Sequence, residues 1–273
     1  MNEVEFYLED LKSKFSKIDP NKYFLSYSGG RDSHFLYWFI KEYAHIEGIK
    51  IVGINTYMEH PQIRKRIYGN CDVVLLPSLK PLEIKEKFGS PCFSKLQDEF
   101  IRRYQNGSRS DNTMKFILGA ENTRFKLNKK AREYVLGENP HKISADCCTY
   151  LKKKPMEEFR KQSKLKPILG VRGSEGRTRK FKYTSCFKKD GTFTPLWDLT
   201  DELLDKIYDM YNIETPEIYN HISRTGCMGC PYGSYKGNTQ KELALLNKNQ
   251  KKFVCEYFKE SYKVLGIDWS DND

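Results

Sequence analysis

Ser28-Gly29-Gly30-Arg31-Asp32-Ser33 puts two glycines, two hydroxyls and a cation into six consecutive residues. A chain that leaves a strand through such a run and re-enters a helix exposes unpaired backbone N–H groups at the helix N-terminus. Together with the helix dipole these donors form an anion site, and glycine lets the backbone approach phosphate oxygens closely. The same six residues are also compatible with an ordinary strand-to-helix turn. The Walker pattern is excluded, because no Gly-Lys-Ser/Thr ending follows.

A second chemistry comes from cysteine. Of eight cysteines, Cys147 and Cys148 are adjacent, and Cys227-Met228-Gly229-Cys230 forms a C-x-x-C in a Gly/Pro-rich stretch. Four thiolates suit a [4Fe-4S] cluster or a structural Zn²⁺. A tandem pair is awkward for tetrahedral zinc, since neighbouring side chains on regular backbone diverge. The alternative is two buried cysteines beside a redox-active C-x-x-C. Cys71, Cys92 and Cys186 read as small buried apolar residues. A third candidate is Gly170-Val171-Arg172-Gly173-Ser174-Glu175-Gly176-Arg177, where Arg172 and Arg177 can fork onto phosphate or sulfate oxygens with Glu175 steadying one of them. A solvated basic loop is the plainer alternative.

These residues need elements to position them. Residues 3–17 show helical spacing of Val4, Leu8, Leu11 and Phe15. Apolar strands are predicted at 22–27, 49–56, 72–77 and 167–172, with an aromatic-rich helix at 32–44. Strand alternating with helix at these intervals predicts an α/β fold: a doubly wound, mainly parallel sheet with helices on both faces. Residues 91–165 read as a helical excursion, broken by the loop 106–110. A helix at 200–211, with Thr200 as its cap, precedes the cysteine-bearing region and terminal helix of about 220–273. One domain spanning 1–273 is the simplest organisation.

Composition sets outer limits. Apolar content is 38%, but 16 Phe, 18 Tyr and 3 Trp supply bulk for a core and argue against disorder. The sequence offers no run of 18 apolar residues and no basic-then-apolar leader, so a cytoplasmic location and no membrane contact are expected. The formal charge of +11 is concentrated between Lys152 and Lys189, where 14 Lys or Arg meet three acids. This block is either a solvated face or a positive field for a polyanion, nucleotide or nucleic acid.

Ser28–Ser33 resembles the Ser-Gly-Gly-Lys-Asp-Ser loop of the adenine nucleotide alpha-hydrolase (PP-loop) superfamily, with Arg31 in place of lysine. Thr56-Tyr57-Met58-Glu59-His60-Pro61 resembles the Thr-x-x-Glu-x-Pro segment of phosphoadenylyl-sulfate (PAPS) reductases. The Cys-Cys and C-x-x-C pair resembles the cluster motif of iron–sulfur adenylyl-sulfate reductases and DNA-phosphorothioation sulfurtransferases. Residues 170–175 resemble the family's Gly-x-Arg-x-x-Glu substrate loop.

The resemblance implies that Ser28, Gly29, Gly30, Arg31, Asp32, Ser33, Thr56 and Glu59 bind an adenine nucleotide. It implies substrate contacts from Arg172, Glu175 and Arg177, and a cluster on Cys147, Cys148, Cys227 and Cys230. ATP with Mg²⁺, or adenylyl sulfate or PAPS, would be the nucleotide. A sulfur donor or thiol reductant protein is the partner implied, and the acceptor is either nucleic acid, given the basic block, or a small molecule.

One family feature is missing. Sulfonucleotide reductases carry a C-terminal Glu-Cys-Gly-x-His nucleophile, absent here. Cys255 lies at a suitable distance past Cys230, but its surroundings read as the inside of an amphipathic helix, so it is not favoured as the nucleophile. ATP-dependent adenylation with sulfur transfer is therefore the expected activity. A sulfite-releasing reductase, a non-catalytic nucleotide or redox sensor, and a zinc-bearing nucleic-acid binder are the alternatives.

Overall fold

Tyr23–Tyr27 (β1) is apolar enough to be buried on both faces, as a central parallel strand requires. It pairs in parallel with Lys50–Ile54 (β2) on one side and with Lys166–Leu169 (β4) on the other, and β2 pairs in parallel with Val73–Leu75 (β3). The sheet order β3-β2-β1-β4 means that the chain winds outward from β1 in both directions. This is the expected α/β, doubly wound parallel sheet. Its switch point lies between β1 and β4, where the carboxyl ends of such strands create a ligand crevice. The computed structural model describes residues 2–119, 124–175, 181 and 183–269.

The chain divides into two compact units. The first comprises Met1–Asn55, Pro61–Leu76 and Pro155–Glu217 and holds the whole sheet. Its core gathers Leu8, Leu11 and Phe15 of the helix Glu3–Phe15 with Phe24, Leu25, Phe39 and Phe193, all buried. Phe15 meets Phe193 edge-on at 5.1 Å between ring centroids. The helix after β1 runs as an α-helix over Arg31–Trp38 and closes with a wider π-turn at Phe39–Tyr43. Thr200 caps the helix Asp201–Met210, accepting from Leu203 N–H at 3.2 Å.

The second unit comprises Thr56–His60, Pro77–Lys154 and Ile218–Asp273 and is helical. The excursion expected at 91–165 falls within it as far as Lys154. One of its cores packs Phe100, Ile101, Phe116 and Ile143. The other packs Met58, Leu151, Met228, Leu243, Val254 and Tyr262 around the cysteines. The terminal helix expected within about 220–273 is two helices, Asn238–Leu245 and Lys248–Leu265. The break has a local cause: Asn247 and Gln250 form a capping box that starts the second helix afresh. Among the described residues no helix is long and apolar enough to cross a membrane.

Candidate functional site

In the first unit, β1 ends at Tyr27 and the chain turns through Gly29 at φ +73°. A side chain on Gly29 would be strained in that conformation, and its Cβ would press on Ile63 Cγ2 at 2.9 Å. The loop is laced from within. Ser33 Oγ accepts from Ser28 N–H at 3.2 Å, lies 3.0 Å from Ser28 Oγ and donates to the Gly30 carbonyl at 3.0 Å. Gly30 is the N-cap of Arg31–Trp38 and gives it no side-chain cap, so the first-turn amides keep the donor role that an anion can fill.

Two arginines are placed differently from their expected anion-binding roles. Arg31 pairs with Asp205 and lies over the Tyr208 ring at 4.9 Å. Arg172, only 7% exposed, donates from Nε to Asp32 Oδ1 at 2.8 Å and from Nη1 to Asp201 Oδ1 at 2.6 Å. Burial opposes the charge on Arg172, yet the Asp32 and Asp201 carboxylates outweigh it and raise its pKa. Arg172 thus ties the loop after β4 to the loop after β1. Gly170 sits where a Cβ would meet the Asp32 carbonyl carbon and the Ser33 nitrogen, each at 2.9 Å. Gly173–Glu175 forms a 3-10 turn, the Glu175 side chain is not among those described, and Arg177 lies outside the described residues.

In the second unit, Cys147 and Cys148 complete a short helix, Asp146–Cys148, and Cys227 and Cys230 bracket a turn ahead of Pro231–Lys236. The structure brings all four thiols into mutual electrostatic reach. The Cys147 thiol is hydrogen-bonded to Cys148; this bond first, and burial second, holds Cys147 protonated. The same bond, followed by Lys95, Lys152 and Lys153 and opposed by burial, lowers the Cys148 thiol. Burial raises Cys230, and it raises Cys227 against the opposing ammonium of Lys152. Lys152 is held charged, chiefly by Cys227 and, against burial, by Glu59.

Among the described residues no group of three or more His, Cys, Asp or Glu side chains is arranged to hold a metal ion. A tetrahedral zinc would need its sulfurs about 3.8 Å apart, given Zn–S bonds of about 2.3 Å. All four candidate ligands are cysteines, and a Cys₄ set is the donor chemistry of a [4Fe-4S] cluster as well as of a structural zinc.

Thr56 and Glu59 belong with the cysteines in this unit. Glu59 bridges to Cys227, and its carboxylate accepts from Thr56 N–H at 3.0 Å and from Thr56 Oγ1 at 2.5 Å. Cys255 is 8% exposed inside Lys248–Leu265, among the residues of the same core. Cys92 is fully buried, whereas Cys71 and Cys186 are only half-buried.

Sequence reasoning missed Lys152, hidden as the first member of a charge run, and Glu242. Glu242 is 6% exposed; its Oε2 accepts from Gly229 N–H at 2.9 Å, and its Oε1 has no hydrogen-bond partner among the described residues. Tyr262 donates to the Gly229 carbonyl. The peptide between the two cysteines of the C-x-x-C is therefore gripped from both sides. Gly229 stands at φ +61°, and a Cβ there would collide with Val254 and Tyr262.

Burial raises the Glu242 carboxyl to about 7, with the Gly229 N–H opposing. In the unfolded chain this carboxyl ionises in the ordinary range, while in the fold it stays protonated until about pH 7. Stability should therefore be fullest below about pH 4.5, fall by on the order of 3 kcal/mol as pH rises to about 7, and level off above. Glu242→Gln should flatten that fall, as read from urea midpoints of iron-free protein at pH 5 and pH 8. An unchanged difference between the two midpoints would remove Glu242 as its source.

Neither a family model nor a curated protein sequence matches this chain. Solved structures similar to it include an NH3-dependent NAD synthetase from Campylobacter jejuni, 11% identical, with a TM-score of 0.41 over 96% of this chain and 93% of that one. A U34-tRNA thiolase from Methanococcus maripaludis, described with its [4Fe-4S] cluster, is 13% identical, with a TM-score of 0.42 over 97% and 81%. An NMN synthetase from Francisella tularensis is 11% identical, with a TM-score of 0.39 over all of both chains.

Proposed function

We propose that this chain is a PP-loop enzyme of the PAPS-reductase pattern that activates an acceptor with ATP and transfers sulfur to it. The observation that carries this reading is the gathering of Cys147 and Cys148 with Cys227 and Cys230, although 78 residues separate the two pairs. The internally bonded Ser28–Ser33 loop supports the nucleotide half of the reading.

Ser28, Gly29, Gly30 and Ser33 would hold the pyrophosphate of ATP against the first-turn amides, with Mg²⁺ accompanying the phosphates. An acceptor oxygen attacks the α-phosphorus and pyrophosphate leaves; a sulfur nucleophile then displaces AMP from the adenylated acceptor. The protein's part is positioning and charge stabilisation. Cys147, Cys148, Cys227 and Cys230 would ligate a [4Fe-4S] cluster, which when bound supplies either a structural tie or a carrier for sulfur. Lys152 offsets the negative charge of those thiolates. The basic block at 152–189 supports a polyanionic acceptor such as nucleic acid.

A reductase needs an accessible thiol of lowered pKa, and the buried position of Cys255 weighs against that role. The test is anaerobic purification with iron, sulfide and zinc quantified, followed by ATP–pyrophosphate exchange and incubation with adenylyl sulfate and PAPS. Brown protein that exchanges pyrophosphate is expected. Sulfite release would instead establish the reductase, tight ATP binding without exchange the sensor, and colourless zinc protein the nucleic-acid binder.

A further inference from the structure

The second unit contains a cavity of about 220 Å³ whose wall includes Lys95, Glu99, Arg102, Asp146, Cys148 and Lys153. Its charges sort by partner. Arg102 is taken up by Asp146 at 2.8 Å, and Glu99 is paired with Arg103. Lys95 and Lys153 enter no ion pair among the described residues. Both share this wall with the Cys148 side chain. Two ammonium groups that no carboxylate pairs with among the described residues, placed around one small space, favour an anion, and the space sets its size. At roughly 30 Å³ per water the cavity holds about seven waters. That is ample for a small oxoanion with part of its hydration, and below the roughly 300 Å³ at which pockets for larger organic ligands begin.

The geometry points to a binding site for a small sulfur oxoanion bearing a terminal sulfur, the class of thiosulfate, seated on Lys95 and Lys153 against Cys148. The oxoanion part follows from charge and volume. The sulfur-bearing part rests on the sulfur-transfer reading above, since Cys148 forms the wall. Such a site would bring a soluble sulfur source to the cysteine patch without a carrier protein. Lys95, at the first position of the helix Lys95–Gln105, and Lys153, in the turn after Cys148, are near in space only because that helix and the Cys-Cys segment share this cavity.

The experiment is calorimetric titration of the full chain, purified anaerobically, with sodium thiosulfate and separately with sodium sulfate at constant ionic strength. Thiosulfate is expected to bind, and sulfate to bind at least about tenfold more weakly, a difference of about 1.4 kcal/mol. The double variant Lys95→Gln with Lys153→Gln should lower thiosulfate affinity at least about tenfold. The charge-keeping Lys95→Arg with Lys153→Arg should retain most of it, which guards against a fold defect in the first variant. Absence of thiosulfate binding, equal binding of sulfate, or affinity unmoved by the glutamine pair would each overturn the proposal. Iron content and ATP–pyrophosphate exchange are read on the same protein. Their failure with thiosulfate binding intact would sink the enzyme reading alone, and the converse would sink this site alone.

Discussion

Cys227→Ser should yield colourless protein, with iron and sulfide content reduced at least about a hundredfold relative to the parent chain. A serine hydroxyl does not ionise at neutral pH and is a poor ligand for iron, so this loss should exceed the 10–100-fold typical of changes to groups that merely support a ligand. Cys227 is also the thiol that Lys152 serves most directly. Its replacement removes a ligand and strands a cation beside Glu59 at once. Cys148→Ser should match it, while Lys152→Gln should fall in the smaller range because the four sulfurs remain. Cys255→Ser, Cys71→Ser and Cys186→Ser should keep both colour and iron. Iron and acid-labile sulfide assays on the six proteins give the result without any substrate. A coloured Cys227→Ser, or a colourless Cys255→Ser, would refute the ligand set.

What could be read in the sequence was local. The strand at Tyr23–Tyr27, the turn at Gly29 and the helix from Arg31 follow from adjacent residues: an apolar run, a glycine free to take positive φ, and polar first-turn side chains. Thr200 as a cap is equally local. The division at Leu246 was also written locally, in Asn247 and Gln250, but an unbroken helical pattern on either side masks it. What spacing could not give was the direction of long charged side chains. Arg31 and Arg172 look like phosphate ligands in a list of motifs, yet Asp205, Asp32 and Asp201 lie across folded space and claim them. Glu242 gives no signal at all, because one glutamate in a polar helix reads as solvated until the fold brings Gly229 to it. Lys152 and its neighbours look alike in sequence, and only the position of Cys227 separates them.

The Arg172 arrangement makes the second large prediction. Arg172→Ala should lower stability by about 3 kcal/mol, the lower end of the cost of truncating a buried ion pair. The lower end applies because Asp201 is 64% exposed and regains water, whereas Asp32, 18% exposed, loses the guanidinium that faces it in the Ser28–Ser33 loop. ATP affinity should fall with stability, since the same carboxylate then repels phosphate. Arg172→Lys should recover part of both, because an ammonium keeps the charge but not the two-pronged geometry. Gly170→Ala tests the other half of the contact: its new Cβ would press on the Asp32 and Ser33 backbone, which has no flexible end to swing aside. It should cost at least about tenfold in ATP affinity with every charge in place. Urea midpoints and ATP calorimetry separate the two possible roles of Arg172. A group that only contacts the substrate anion would lose binding on truncation and keep its midpoint; a tie between loops loses both, and an unmoved midpoint in Arg172→Ala would return Arg172 to the substrate.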